Sequence, residues 1–172
     1  MKNKFSLRKL KEKDAILMIE WMHDENVVKD LKTNFKNKTI NDCKNFIINS
    51  LIDEENLHYA IVNEQDEYLG TVSLKNINYN ELSAEFAITI RKSAMGTGCS
   101  TYAINEIMNK AFKEFGLKNI YWYVDRNNIR ALKFYDKNNY KRIDYNSILN
   151  ICSNAKKDYD EKYIWYLEKN KF

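Results

Sequence analysis

The sequence predicts an α/β (α+β) fold in which one sheet is flanked by helices. Three observations carry that prediction. The hydrophobic period switches along the chain from about four to two and back again. Three consecutive segments with strand periodicity, residues 57–62, 68–74 and 82–91, are separated by polar stretches short enough for hairpins. The last of them runs through a glycine-containing turn into a long amphipathic helical pattern.

Taken in order, residues 5–10 alternate apolar and polar side chains and read as a first strand. Asp14 stands where it can cap a helix carrying Ile16, Leu17, Ile19, Trp21 and Met22 at helical spacing. Thr39 opens a second helix. Its hydroxyl can accept a free amide, Asp42 sits three residues on, and Cys43, Phe46, Ile47 and Leu51 form the stripe to be buried. Residues 63–67 and 76–80 are the hairpin loops. In the third central strand Leu82, Ala84, Phe86, Ile88 and Ile90 alternate with Ser83, Glu85, Ala87, Thr89 and Arg91. One face is therefore apolar, and the other offers a carboxylate and a hydroxyl.

After Gly98, the residues Cys99, Ala103, Ile107, Ala111 and Phe115 recur every four positions, and Gly116 can end the helix in a left-handed conformation. Residues 119–125 are rich in the aromatic and branched side chains that strands favour. Asn127 or Asn128 caps another helix to about Lys137, with Ala131, Phe134 and Tyr135 turned inward. Strands near 140–145 and 163–167 complete the sheet. Residues 146–162 between them form a loop long enough to be functional or mobile.

Composition narrows the function classes. The 172 residues suit one domain, and no repeat or linker interrupts them, so 1–172 reads as a single unit. Hydrophobic residues make up 44%, enough to exclude a disordered tail. No uncharged apolar run approaches the ~18 residues that a bilayer demands. The basic start is not followed by an apolar leader segment, so a cytoplasmic location and no membrane partner are expected. The 28 basic and 24 acidic side chains leave a scattered +4, which suits a solvated surface better than a nucleic-acid-binding stripe. Cys43, Cys99 and Cys152 are odd in number and far apart, with only His23 and His58 besides. Neither a disulfide framework nor a metal site is expected from them.

The most informative segment joins a strand to a helix through Met95, Gly96, Thr97, Gly98, Cys99 and Ser100. The first amides of a helix have no internal partner, and the helix dipole adds positive charge there. Small residues let an anion approach, so the turn suits a pyrophosphate. A P-loop would need a lysine and a hydroxyl after the second glycine, where Cys99 and Ser100 stand. A dinucleotide fingerprint would need glycine at Thr101. Asp125 does follow 27 residues after Gly98, but too little chain remains for a doubly wound sheet.

The order of elements, this turn and the later run Asn128-Ile129-Arg130-Ala131-Leu132-Lys133-Phe134-Tyr135 resemble the GNAT acetyltransferases. The opening Leu7-Arg8-Lys9-Leu10, then Asp14 and Glu20-Trp21-Met22, is similar to their RimJ/RimL-like branch. The family turn reads Gln/Arg-x-x-Gly-x-Gly/Ala; Gly98 fits, Met95 replaces the polar first residue and Ser100 the last small one. Asn139 stands where the family commonly has glycine before an aromatic, here Tyr140, and asparagine tolerates the left-handed conformation such a turn needs.

The resemblance implies a mixed, mostly antiparallel central sheet with a splayed strand pair and helices on both faces. It implies acetyl-coenzyme A as cosubstrate and no metal. Backbone around Ile88, Thr89 and Ile90 would bind the pantetheine arm. Met95, Gly96, Thr97, Gly98, Cys99 and Ser100 would hold the pyrophosphate, and Asn128 would bond the cofactor arm. Tyr135, seven residues after Asn128, matches the family's acid tyrosine, although its spacing alone reads as a core aromatic.

Acetyl transfer to an amine needs a neutral nucleophile and a protonated leaving thiol. A free alkylammonium has a pKa near ~10.4, so a base must take its proton, and a thiolate leaving group with pKa near ~8.5 benefits from an acid. Glu85, on the polar face of the strand leading to the turn, is the base candidate, acting through water or orienting the amine. Cys99 at a helix start invites a covalent role, but its place in the apolar stripe favours packing. His23 falls where the family has its acceptor edge. The expected function is direct N-acetylation in a ternary complex, with a small-molecule amine such as an amino sugar as acceptor. A polyamine or a protein N-terminus remains open, as does stacking of a sugar on Trp21, Trp122 or Tyr123. A non-catalytic coenzyme A or nucleotide-binding module on the same fold is the alternative. A monomer or homodimer is expected.

Overall fold

A computed structural model describes residues 4–158 and 161–171, with side chains of 156–158 left aside. Seven strands are hydrogen-bonded in the order β1-β2-β3-β4-β5-β7-β6. They are β1 (Phe5–Lys9), β2 (Leu57–Asn63), β3 (Tyr68–Asn78), β4 (Ser83–Ile90), β5 (Asn119–Asp125), β6 (Lys141–Ile143) and β7 (Tyr163–Lys169). The pair β4–β5 is parallel, whereas β1–β2, β5–β7 and β6–β7 are antiparallel. Short hairpins join β2 to β3 and β3 to β4. The sheet is therefore mixed, mostly antiparallel and flanked by helices, as expected.

The helices are α1 (Ala15–Met22), α2 (Glu25–Val28), α3 (Ile40–Ser50), α4 (Cys99–Asn109), α5 (Ile129–Lys137) and α6 (Tyr145–Ile151). A π-helical stretch, Lys110–Glu114, continues α4 before Gly116 adopts φ +65. The chain forms two compact units: Met1–Ser73 with Ala87–Ile107, and Leu74–Phe86 with Met108–Phe172.

In the first unit, α1 and α3 bury Met18, Trp21, Met22, Cys43 and Ile47 with Val62 of β2 and Tyr68 of β3. Fully burying such side chains contributes ~1.5–3 kcal/mol each. Trp21 Nε1 donates to the Tyr68 hydroxyl at 3.1 Å, which meets Thr71 Oγ1 at 2.7 Å, so the polar ends of this core are satisfied. Thr39 caps α3 as expected: its Oγ1 accepts the Asp42 amide at 3.2 Å, and the Asp42 carboxylate accepts the Thr39 amide at 2.7 Å.

Several details differ from expectation. Asp14 does not cap α1 through its side chain; its carboxylate accepts the Lys11 amide at 2.8 Å and two Arg8 bonds at 2.8 Å, closing a 3-10 turn ahead of the helix. With Ala15, Met18 and Trp21 facing inward, the 3.6-residue period leaves Ile16 63% exposed. Likewise α3 buries Cys43, Ile47 and Ser50, leaving Phe46 at its flank against the His58 ring and Leu51 exposed at its end. The short α2, capped by Asp24, lay outside the predicted elements.

In the second unit, β5 and β7 pair from Asn119↔Lys169 to Asp125↔Tyr163. Ile120, Trp122 and Val124 leave one face of β5; Tyr121 and Tyr123 leave the other. Asn128 caps α5, accepting the Ala131 amide at 3.1 Å. Leu132 and Tyr135 are its buried residues, while Ala131 and Phe134 are half-buried. The expected loop of residues 146–162 is largely helical. Asp144 accepts the Ser147 amide at 2.9 Å and starts α6, which packs Ile148 and Cys152 against Tyr121, Trp165 and Leu167. A further helical stretch, Ser153–Asp158, follows; residues 159 and 160 of that loop lie outside the described residues.

Candidate active site

The glycine-containing turn belongs to the first unit. Past β4 the chain makes a 3-10 turn, Lys92–Ala94, and then reaches Gly96 at φ +77 and Gly98 at φ +90. Only glycine takes such angles without strain. The Met95 amide bonds Lys92 O at 3.2 Å, and the Thr97 hydroxyl donates to Ala94 O at 2.7 Å. The first amides of α4 have no acceptor within the helix itself. Gly96, Thr97 and Gly98 are exposed and Ser100 half-buried, so these donors stand at the surface at the start of an 11-residue helix. That donor set fits a diphosphate.

Cys99 within the turn is different. It is fully buried, and burial pushes its thiol up to about 11. A buried thiol without a cationic neighbour is an inert packing group.

Of the residues read as pantetheine contacts, Ile88 and Thr89 are half-buried and Ile90 is buried. β3 approaches them closely: a Cβ on Gly70 would lie 2.3 Å from Thr89 O. Gly70 therefore sets the separation of the two strands at this point.

Glu85 and Tyr135 belong to the second unit. The β4–β5 ladder has three pairs and stops at Glu85↔Tyr121, after which β5 continues to pair on its other side with β7. Partners in a ladder leave the sheet on one face, so Glu85 shares the Tyr121 face. Its carboxylate, 12% exposed, receives Lys75 Nζ at 2.8 Å and Asn76 Nδ2 at 3.0 Å. Consecutive residues of a regular strand would point to opposite faces. Asn76, at φ +50, breaks the alternation inside β3 and lets both neighbours reach Glu85.

Tyr135 lies on the opposite face, against Trp122. The two ring centroids are 5.3 Å apart, with Tyr166 at 5.2 Å and Tyr140 at 5.8 Å from Tyr135. Burial and the neighbouring phenols hold its hydroxyl well above the ordinary tyrosine range. That hydroxyl makes no hydrogen bond among the described residues. Asn139 adopts φ +61 as expected, ending α5 so that the Tyr140 amide reaches Tyr135 O at 3.1 Å. Buried polar atoms without a partner flank the end of the ladder: the Tyr121 hydroxyl and Trp122 Nε1.

Sequence reading missed what supports these two side chains. Lys75 and Asn76 stood at the edge of an expected hairpin loop, and Trp122 stood among candidates for stacking a sugar. Trp122 is 2% exposed and Trp21 5%, so both are core residues and offer no aromatic wall to a ligand. The alternation of β5, which pairs Trp122 with Tyr166 in a stack, is the signal for Trp122. His23 is exposed, with Nε2 2.9 Å from Lys38 O. Among the described residues, no group of three or more His, Cys, Asp or Glu is placed to hold a metal, and no helix is long and apolar enough to cross a membrane.

Residues 4–141 match the acetyltransferase (GNAT) domain family. An 85-residue stretch is 31% identical to a spermidine N(1)-acetyltransferase of Vibrio cholerae and covers 49% of each chain, so the match spans about half the length of that curated relative. The fold is similar to the crystal structure of spermidine N-acetyltransferase from Vibrio cholerae in complex with CoA and spermine. There the identity is 22%, the TM-score 0.74, and the match covers 82% of this chain and 83% of that one. A dodecameric structure of spermidine N-acetyltransferase from Vibrio cholerae shares the fold over 96% of this chain and 94% of that one, at 18% identity and TM-score 0.72. This dodecamer overturns the expectation of a monomer or homodimer. The relatives named here also lie on the spermidine acetyltransferase side rather than in the RimJ/RimL-like branch.

Proposed function

The chain belongs to the GNAT acetyltransferase family, enzymes that move an acetyl group from acetyl-coenzyme A to an amine, and on that premise we propose that its acceptor is a primary amine of a polyamine such as spermidine. The observation that carries the acceptor is the 31% identity to a spermidine N(1)-acetyltransferase over 85 residues. The amino-sugar reading loses two of its three aromatic candidates with the burial of Trp21 and Trp122, and Tyr123 is half-buried against Tyr163 and Trp165. In this reading residues 1–172 act as one acetyltransferase domain and assemble into an oligomer larger than a dimer.

The roles follow from the chemistry of each group. Acetyl-coenzyme A supplies an activated acyl carbon. The amides of Met95, Gly96, Thr97, Gly98, Cys99 and Ser100 bind its diphosphate, and the main chain at Ile88, Thr89 and Ile90 orders the pantetheine arm. Asn128 Oδ1 caps α5, which leaves its Nδ2 to bond that arm. Glu85 receives the proton of the attacking ammonium through water, and a polycation can take over the charge that Lys75 now neutralises. Tyr135 gives its phenolic proton to the departing thiolate and recovers one from solvent. Its raised pKa keeps that proton in place at neutral pH.

Thiol release from acetyl-coenzyme A, measured with spermidine, spermine, an amino sugar and a peptide with a free N-terminus, tests the reading. Turnover is expected with the polyamines. Coenzyme A binding with turnover confined to the sugar or the peptide would overturn the acceptor, and flat calorimetric titration with coenzyme A would overturn the activity.

A further inference from the structure

Arg91 stands between the strand β4 and the turn, and all three nitrogens of its guanidinium are hydrogen-bonded. Its side chain is 9% exposed. Nε and Nη2 hold the Glu20 carboxylate of α1 at 3.0 and 2.9 Å. Nη1 holds Glu67, in the β2–β3 hairpin, at 2.9 Å and Tyr68 O at 3.0 Å. The main chain is committed as well: the Arg91 amide donates to Leu69 O at 2.8 Å, and its carbonyl accepts the Ala94 amide at 3.0 Å. That second bond is the first in the series that winds the chain toward Gly96 and Gly98. Nothing in the chemistry assigned to Glu85 or Tyr135 uses this buried cation.

We propose that Arg91 is a positioning residue for donor binding: it clamps the start of the turn to α1 and to the β2–β3 hairpin, so that the amides of residues 96–101 are already aligned before a diphosphate arrives. This rests on the acetyl-coenzyme A reading above. Two physical effects act in the same direction. A donor array that is ordered in advance loses little conformational freedom on binding. The Arg91 charge also offsets the two carboxylates it holds; without it, Glu20 and Glu67 would stand unneutralised in the unit that must accept an anion. Arg91 is a better clamp than lysine, because one planar fork can satisfy two carboxylates and a carbonyl at once.

A truncated donor separates this role from general support of the fold. Acetyl-pantetheine carries the same thioester but no diphosphate, so it makes no use of the turn. In Arg91→Met the KM for acetyl-coenzyme A is expected to rise about tenfold or more. kcat at saturation, KM for the amine and kcat/KM for acetyl-pantetheine should stay within about twofold of wild type. Arg91→Lys, which keeps one cation, should fall between, and it serves as the test if Arg91→Met does not fold. Hydrogen exchange at the amides of 96–101 in the free protein should quicken in both variants. Equal acetyl-coenzyme A KM in wild type and variants would overturn the proposal, and so would parallel losses with both donors. A wild type that binds no coenzyme A would instead remove the acetyl-coenzyme A reading, and this inference with it.

Discussion

Tyr135 and Glu85 leave the sheet region on opposite faces, each held by its own neighbours. The roles proposed for them are therefore tested one side chain at a time. Tyr135→Phe keeps the ring contacts with Trp122, Tyr140 and Tyr166 and removes only the hydroxyl. It should lower kcat by about 10²-fold while leaving both KM values nearly unchanged. Because the Tyr135 phenol is held well above its ordinary value, it stays protonated through neutral and mildly alkaline pH. The deficit of the phenylalanine variant should therefore be constant between about pH 7 and 9. Cys99 gives a contrasting prediction. With its thiol pushed up to about 11, only about one molecule in a thousand carries a thiolate at pH 8. Native protein should resist aromatic-disulfide labelling at that position, and Cys99→Ala should retain wild-type kcat.

Among the elements, the turn and α3 allow function and stability to be perturbed separately. Gly98→Ala places a side chain at φ +90, where L residues are strained, though no atom lies within 4 Å of the new Cβ. The turn should relax and raise the KM for acetyl-coenzyme A with little change in melting temperature. Thr39→Ala removes the α3 cap and should cost about 1 kcal/mol by denaturant titration with no effect on either KM. Several elements were legible because their signals are local: the Thr39/Asp42 capping box, the left-handed Gly116, and the span of β5 at Asn119–Asp125. α6 was not legible. Its apolar residues Ile148, Leu149 and Ile151 show no clear period, and the helix exists because Asp144 caps it and the Tyr121 face needs covering. The contact of Lys75 and Asn76 with Glu85 was hidden for a related reason. It depends on a positive φ inside β3, where alternation predicts opposite faces.

For the whole molecule, the sheet order explains why the parallel β4–β5 pair is short. β5 has a second partner in β7 along its entire length, so it keeps its hydrogen bonds after the β4 ladder stops at Glu85. The proposed assembly gives a prediction at this scale: sedimentation should show a mass well above twice the 20.6 kDa of one chain. Sedimentation at the monomer or dimer mass would count against it.

Residue order alone was enough for the alternating strands, the Thr39 and Asn128 helix caps and the glycine turn before α4, since each depends on neighbours within a few positions. The resemblance that follows from them named the residues of the candidate site. Which side chains of α1 and α3 are buried, the pairing of Glu85 with Lys75, the aromatic shell of Tyr135 and the clamp of Arg91 on Glu20 and Glu67 all join residues distant in the chain. Their partners are set by packing between elements, which has no local signature.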